Sequence, residues 1–265
     1  MPASRATAFH RADRLRLMDA LCAMAREAGS RIMEVYSGPF AARTKVDRSP
    51  VTDADEAAER VIVERLGALT PGIPIVAEES VARSGLPAPP GHTFWLVDPL
   101  DGTREFIDRN GEFTVNIALV EHGTPILGVV LVPALQQLYG GRGSGDAFRM
   151  FGTGAPEPIA AAMPGADGLK VVASRSHRDA ATDAYLSKLT VKEIVAAGSS
   201  LKFCRVAEGA ADLYPRFGPT MEWDTAAGHA VLSAAGGSVR GLDGRDLAYG
   251  KSGYLNSAFV ARGRE

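Results

Sequence analysis

The stretch that most restricts how this chain can fold is Trp95-Leu96-Val97-Asp98-Pro99-Leu100-Asp101-Gly102-Thr103. The apolar run from Phe94 to Val97 reads as a buried strand, and it ends at two acids separated by Pro99 and Leu100. Proline fixes its own φ and pushes Asp98 towards an extended conformation, so the chain is expected to turn sharply where the strand ends. In such a turn the carboxylates of Asp98 and Asp101 can point at one spot, with the Leu100 carbonyl between them. Gly102 lets the backbone approach a ligand, and the N–H groups of Gly102 and Thr103 would open the next helical turn. That arrangement offers hard oxygen ligands for Mg²⁺ beside a backbone cradle for phosphate. An ordinary Asp-Gly turn after a strand accounts for the same stretch, so the rest of the chain has to decide.

Composition removes several classes. With 265 residues and 46% hydrophobic content, the chain can bury a full core, and a formal net charge of −2 gives no basic field for a nucleic-acid polymer. No apolar run reaches membrane-spanning length, and Met1 to Ala12 lacks the apolar segment of a secretory signal. The two cysteines, Cys22 and Cys204, sit on apolar helical faces and read as inert buried thiols. A reducing cytoplasm is the expected setting, with peripheral attachment to an inner membrane left open.

Met18, Leu21, Cys22, Ala25, Ala28, Ile32 and Val35 recur at helical spacing, which predicts a helix over 13–37 stopped by Gly38-Pro39. Residues 1–12 are expected to form a flexible tail. Asp53 with Glu56 resembles a capping box for a second helix running to Leu69, with Val61, Ile62, Leu66 and Leu69 as its buried stripe. Pro74 to Ala77 reads as a short strand, and Glu112–Glu121 with Pro125–Val132 as a hairpin around His122-Gly123, followed by strands near Leu138 and Phe148. The Gly- and Pro-rich stretch 152–168 divides the chain into halves at 13–155 and 156–265. The second half alternates strand 169–173, helix 179–188, strand 192–196, helix 199–208, strand 211–214, helix 225–235 and strands near 239 and 259, an α/β layer pattern against an antiparallel first half.

Three acidic spots end an apolar strand or open a helix: Glu78-Glu79, Asp98 with Asp101, and Trp223-Asp224-Thr225. Singly, the first reads as a solvated loop pair and Asp224 as a helix N-cap. Together, four carboxylates and one carbonyl suffice for two Mg²⁺ ions about 3.5–4 Å apart sharing Asp98. Gly244 to Ser252 nearly spells a P-loop, but its glycine spacing is wrong and no strong strand precedes it.

Glu78-Glu79-Ser80, Asp98-Pro99-Leu100-Asp101-Gly102-Thr103 and Trp223-Asp224-Thr225-Ala226-Ala227-Gly228 resemble the three signatures of the inositol monophosphatase superfamily, magnesium-dependent and lithium-sensitive phosphatases. Within it, Thr103-Arg104-Glu105-Phe106-Ile107, Asn110 to Ala118, Gly198 to Phe203 and Tyr214 to Pro219 resemble CysQ-type 3'(2'),5'-bisphosphate nucleotidases, and the likeness spans 13–262. The resemblance implies a layered α/β/α/β/α sandwich. It implies that Glu78, Asp98 and the Leu100 carbonyl hold one Mg²⁺ and Asp98, Asp101 and Asp224 a second, with room for a third, weakly held ion. Glu79 matches no direct ligand position. Asp55, Thr103 and Glu78 would orient and activate water, and Asp101, Gly102 and Thr103 would bind phosphate. Ser174, His177, Ser199, Lys202, Arg216 and Asp224 would contact a nucleotide bisphosphate, and Lys45 matches a lysine near the metals.

The implied reaction is hydrolysis of 3'-phosphoadenosine 5'-phosphate to AMP and phosphate by metal-activated water, extending to the 5'-phosphosulfate form. The competing reading is an inositol-monophosphate or broad sugar-phosphate phosphatase, which needs no Ser199, Lys202 or Arg216. A purely nucleotide- or Mg²⁺-binding protein is disfavoured because every acid of the set is present. Monomer and homodimer both remain open.

Overall fold

The computed structural model describes residues 9–44, 50–88, 90–175 and 179–265. Most of the expected tail at 1–12, together with Lys45 and His177, therefore lies outside the described residues; Arg11 and Ala12 already belong to α1 (Arg11–Tyr36). This helix buries Met18, Leu21, Ala25, Ala28 and Ile32 at the expected spacing. Cys22 is only half-buried, whereas Cys204 is fully buried, and the two are unpaired. Burial pushes the Cys22 thiol up to about 11 and raises Cys204 as well, so both stay protonated and inert.

α2 (Asp53–Leu69) departs from expectation in two ways. Its capping box is Thr52 with Asp55, one residue earlier than the Asp53/Glu56 reading, because Asp55 points inward while Asp53 and Glu56 lie outside and pair with Arg43. Its buried stripe is Ala54, Ala58, Ile62 and Leu66, whereas Leu69 is exposed. Ala54 and Ala58 keep the first half of that stripe small, and Ile62 and Leu66 fill the second half, in one core cluster with Leu21, Ala25 and Ala28 of α1.

Among the described residues, β1 (Ile75–Ala77), β2 (Thr93–Asp101), β3 (Thr114–Glu121), β4 (Thr124–Val132), β5 (Gln137–Gly141), β6 (Ala147–Phe151) and β7 (Glu157–Pro158) form a seven-stranded sheet in chain order. Only β1 and β2 run parallel. Two short helices, α3 (Glu78–Ser84) and α4 (Thr103–Ile107), follow β1 and β2. Trp95 and Val97 pack with α1 and α2, while Phe94 and Leu96 pack on the other side with Phe203, Trp223 and Val231. An apolar run without alternation is what a sheet covered on both faces requires.

The second sheet has the order β9-β8-β10-β12-β11, built from β8 (Leu169–Ser174), β9 (Val191–Ala197), β10 (Leu213–Arg216), β11 (Ser238–Gly241) and β12 (Phe259–Arg262). Helices α6 (Leu201–Ala207) and α7 (Ala226–Ala234) fill the space between the sheets, and α5 (Ala180–Leu186) covers the outer face through Leu186 on Val171, Leu213 and Val260. Five layers result, as expected. β10 starts and ends two residues later than the 211–214 reading, because Pro215 sits inside the strand opposite Val260. Its missing N–H is tolerated there, since β8 registers with β10 only at Val171 and Leu213.

α7 lies tight on the first sheet. A Cβ added at Gly128 or Gly141 would come within 2.5 Å of the Ala227 or Ala230 carbonyl oxygen. That contact sets how far the loop carrying Asp224 stands from β2.

Candidate active site

β2 does not turn away at Asp98 as its proline suggested. It runs on to Asp101 with a bulge: Asp98 faces Asn116 and Asp101 faces Thr114, so the step from 98 to 101 matches the step from 116 to 114 on β3. Residues three apart on a regular strand point to opposite faces; the extra residue returns both acids to one face. Pro99 contributes no N–H to the ladder, and the Leu100 N–H donates to Asp98 Oδ1 at 3.0 Å.

The parallel register pairs Ala77 with Val97, so α3 opens with Glu78 beside Asp98. The two carboxyl groups are hydrogen-bonded. The start of α3 is anchored from α2: buried Glu59 accepts from the Glu79 N–H at 2.7 Å, Ser80 Oγ at 2.8 Å and Arg83 at 2.9 Å. Glu79 is buried rather than solvated. Asp224 arrives from the loop before α7, where its Oδ2 accepts the Met221 N–H at 2.8 Å. Thr225 is the N-cap residue of α7 and no side chain caps it, so capping does not explain Asp224.

Electrostatics ties these acids together. Burial first, then the charges of Glu78, Asp101 and Asp224, hold Asp98 well above the usual carboxylate range. Burial, then Asp101 and Glu78, does the same to Asp224. Burial raises Asp101 to about 6, opposed by Lys202 and by the Ser200 N–H. Among the described residues, no three acids close on one point as a finished metal cage. The donor set nevertheless fits a hard divalent cation, since it is all oxygen, buried and mutually repelling.

Asp55 is 1% exposed. Its Oδ2 takes the Thr52 N–H and hydroxyl, both at 2.8 Å, and its Oδ1 receives the Thr103 hydroxyl at 3.4 Å. One carboxylate thus caps α2 and holds Thr103. Gly102, at φ 88, begins α4, and a Cβ there would stand 3.2 Å from Ser199 Cβ.

A cleft of about 290 Å³ joins Asp101, Gly102, Thr103 and Asp224 to Ser174, Ser199, Lys202 and Arg216. It opens where β8 and β10 part, the kind of gap at strand ends that α/β layers use for ligands. Lys202 is buried, 4% exposed, not a surface residue of its helix. Its Nζ donates to the Ser199 carbonyl and lies 5.3 Å from the Tyr214 ring centre. Burial lowers it to about 8 against the pull of Asp101. The Arg216 Nε is buried and has no hydrogen-bond partner among the described residues. Arg175 points elsewhere, gripping Glu112 with two nitrogens at 3.0 and 3.1 Å.

Sequence reasoning missed Glu59, Thr114, Asn116, Ser200 and Tyr214. One signal was available: Thr114 and Asn116 are polar residues at alternate positions of an otherwise apolar strand.

The inositol monophosphatase family model matches residues 13–264. The 3'(2'),5'-bisphosphate nucleotidase CysQ of Escherichia coli (strain K12) is 48% identical over 254 residues, covering 92% of this chain and 98% of that protein. CysQ from Bacteroides thetaiotaomicron, described as a bacterial member of the inositol monophosphatase family, superposes with a TM-score of 0.80 at 39% identity, covering 94% and 98%. Inositol monophosphatase from Anabaena superposes at 0.74 and 25% identity, covering 94% and 91%. With the family model matching residues 13–264 and the relative covering 92% of the chain, the chain belongs to the inositol monophosphatase family.

Proposed function

We propose that this chain is a 3'(2'),5'-bisphosphate nucleotidase that hydrolyses 3'-phosphoadenosine 5'-phosphate to AMP and phosphate and also accepts the 5'-phosphosulfate form. The observation that carries the reading is a single cleft lined both by acids of the cluster, Asp101 and Asp224, and by two cationic residues, buried Lys202 and Arg216. A substrate with phosphates at both ends matches it, whereas an inositol monophosphate leaves the cationic residues idle. The high identity to proteins named for this activity points the same way.

Glu78, Asp98, the Leu100 carbonyl, Asp101 and Asp224 would hold two Mg²⁺ ions. Bound there, the cations supply positive charge for the phosphoryl oxygens and lower the pKa of water. The chain's own groups do the rest. The Thr103 hydroxyl donates to Asp55, so its lone pairs face the cleft and accept from the attacking water. Glu78 holds the same water from the other side, and the proton that water gives up passes to Thr103 Oγ1 as the Thr103 hydroxyl proton passes to Asp55 Oδ1. The N–H groups of Gly102 and Thr103 bind phosphoryl oxygens. Ser174, Ser199 and Lys202 line the nucleotide end, and the unpartnered Arg216 Nε is available to the 5'-phosphate.

Phosphate release from 3'-phosphoadenosine 5'-phosphate and from inositol 1-phosphate, with Mg²⁺ titrated and Li⁺ added, tests this. The wild type prefers the bisphosphate, and Lys202→Ala lowers kcat/KM for it by about 10- to 100-fold, the scale of one charged hydrogen bond, while sparing inositol 1-phosphate. Equal wild-type activity on both would replace this reading with an inositol phosphatase.

A further inference from the structure

Thr114 and Asn116 are 0% and 1% exposed, and they are the cross-strand neighbours of Asp101 and Asp98. Both reach the turn before α6. Ser199 Oγ donates to Thr114 Oγ1 at 3.0 Å, and Asn116 Nδ2 donates to the same oxygen at 3.2 Å. Ser200 Oγ donates to Asn116 Oδ1 at 2.5 Å and lies 2.8 Å from Thr114 Oγ1. Counting protons fixes the last direction: the one hydroxyl proton of Ser200 goes to Asn116, so Thr114 donates to Ser200. Thr114, Ser200 and Asn116 therefore close a ring in which every bond runs the same way round. Each bond polarises the next, and deleting one member orphans buried partners.

The turn held by this ring grips both ends of the cleft. The Ser200 N–H donates to Asp101 Oδ2 at 2.6 Å, and the Ser199 carbonyl accepts from Lys202 Nζ. Ser199 sits at φ 44, a left-handed conformation that a non-glycine residue keeps only when its surroundings impose it. Its Cβ also stands close to Gly102. Moving the turn to meet an anion at Lys202 therefore moves the partner of Asp101.

The geometry points to a coupling device: the Thr114–Ser200–Asn116 ring links occupancy of the anion-binding turn at Ser199 and Lys202 to the orientation of Asp101, so that a nucleoside 5'-phosphate and the divalent cation each tighten the other's binding. Thr114 and Asn116 are positioning residues that also set specificity, since a substrate without the remote phosphate cannot draw on the link. This inference rests on the nucleotidase reading above.

The test is calorimetric titration of Mg²⁺ and of 3'-deoxyadenosine 5'-phosphate, each alone and in the presence of the other. The probe lacks the reacting 3'-oxygen and so cannot reach the acid end through it. In the wild type each ligand lowers the other's Kd by one common factor of at least about fivefold. Thr114→Val, which keeps the shape and loses the hydroxyl, and Ser200→Ala, which opens the ring from the other side, bring that factor below about twofold. Thr114→Ser keeps it. Should Thr114→Val fail to fold, Ser200→Ala and Thr114→Ser decide the matter. Coupling that survives both disruptive variants overturns the proposal, as does a wild type that binds both ligands independently. A wild type that binds Mg²⁺ and ignores the nucleotide overturns the nucleotidase reading, and the coupling with it.

Discussion

At the scale of single residues, the site is a collection of acids that would be more comfortable apart. Asp98 and Asp224 are both held well above the usual carboxylate range, first by burial and then by like charges: Glu78, Asp101 and Asp224 around Asp98, and Asp101 and Glu78 around Asp224. Replacing Asp101 or Asp224 with Asn should therefore separate function from stability. Turnover at saturating Mg²⁺ is expected to fall by at least about 10²-fold, the scale for losing one electrostatic partner of the transition state. The melting temperature in EDTA should hold or rise, because a buried repulsion is removed. Near-normal phosphate release from either variant would refute the assignment. The acids themselves were readable from their positions at strand ends. Their common face was not: Asp98 and Asp101 are three apart, and only the bulge against β3 turns that spacing into convergence.

At the scale of elements, α2 works as a ruler. Its first turn carries Asp55 against Thr103, and Glu59, on the next turn, holds the start of α3 and hence Glu78. Thr52 keeps the ruler's end in place by donating its N–H and hydroxyl to Asp55 while its hydroxyl oxygen accepts the Ala54 N–H. Thr52→Ala is expected to lower stability by about 1 kcal/mol in urea unfolding, the worth of an N-cap, and to lower kcat as well because Asp55 loses the Thr52 hydroxyl as a donor and keeps only that residue's N–H. Thr52→Ser should restore both; a Thr52→Ala enzyme with normal kcat would show that Asp55 needs no such support. Sequence placed this helix within its true limits yet chose the wrong box. Asp53/Glu56 and Thr52/Asp55 have the same spacing, and burial alone separates them.

At the scale of the whole molecule, α7 lies between the two sheets and carries buried His229, whose Nδ1 is 3.0 Å from the Tyr249 hydroxyl. Burial holds its pKa down to about 4, opposed by the charge of Asp246. An unfolded histidine titrates near 6.5, so between that value and about 4 the unfolded chain binds the extra proton. This group's contribution is thus complete above pH 6.5 and declines as pH falls, by at most on the order of 3 kcal/mol. His229→Gln should flatten the decline of melting temperature between pH 6.5 and 4.5 relative to wild type; parallel curves would show that the imidazole is not the titrating group. What the sequence determined by itself was the set of local periods: helix after helix, strand after strand, and acids where strands stop. Those signals depend on neighbours a few positions apart, which is why 94–97, 114–132 and most of the second half were legible, whereas the continuation of β2 through Pro99 to Asp101 was not. Tertiary structure alone decided which side of β2 the acids share, that Lys202 is buried, and that Thr114 and Asn116 connect the two ends of the cleft. Strand register, the approach of α7 through Gly128 and Gly141, and the closing of a hydrogen-bonded ring between residues 114 and 200 all depend on contacts between distant segments, and no local spacing encodes them.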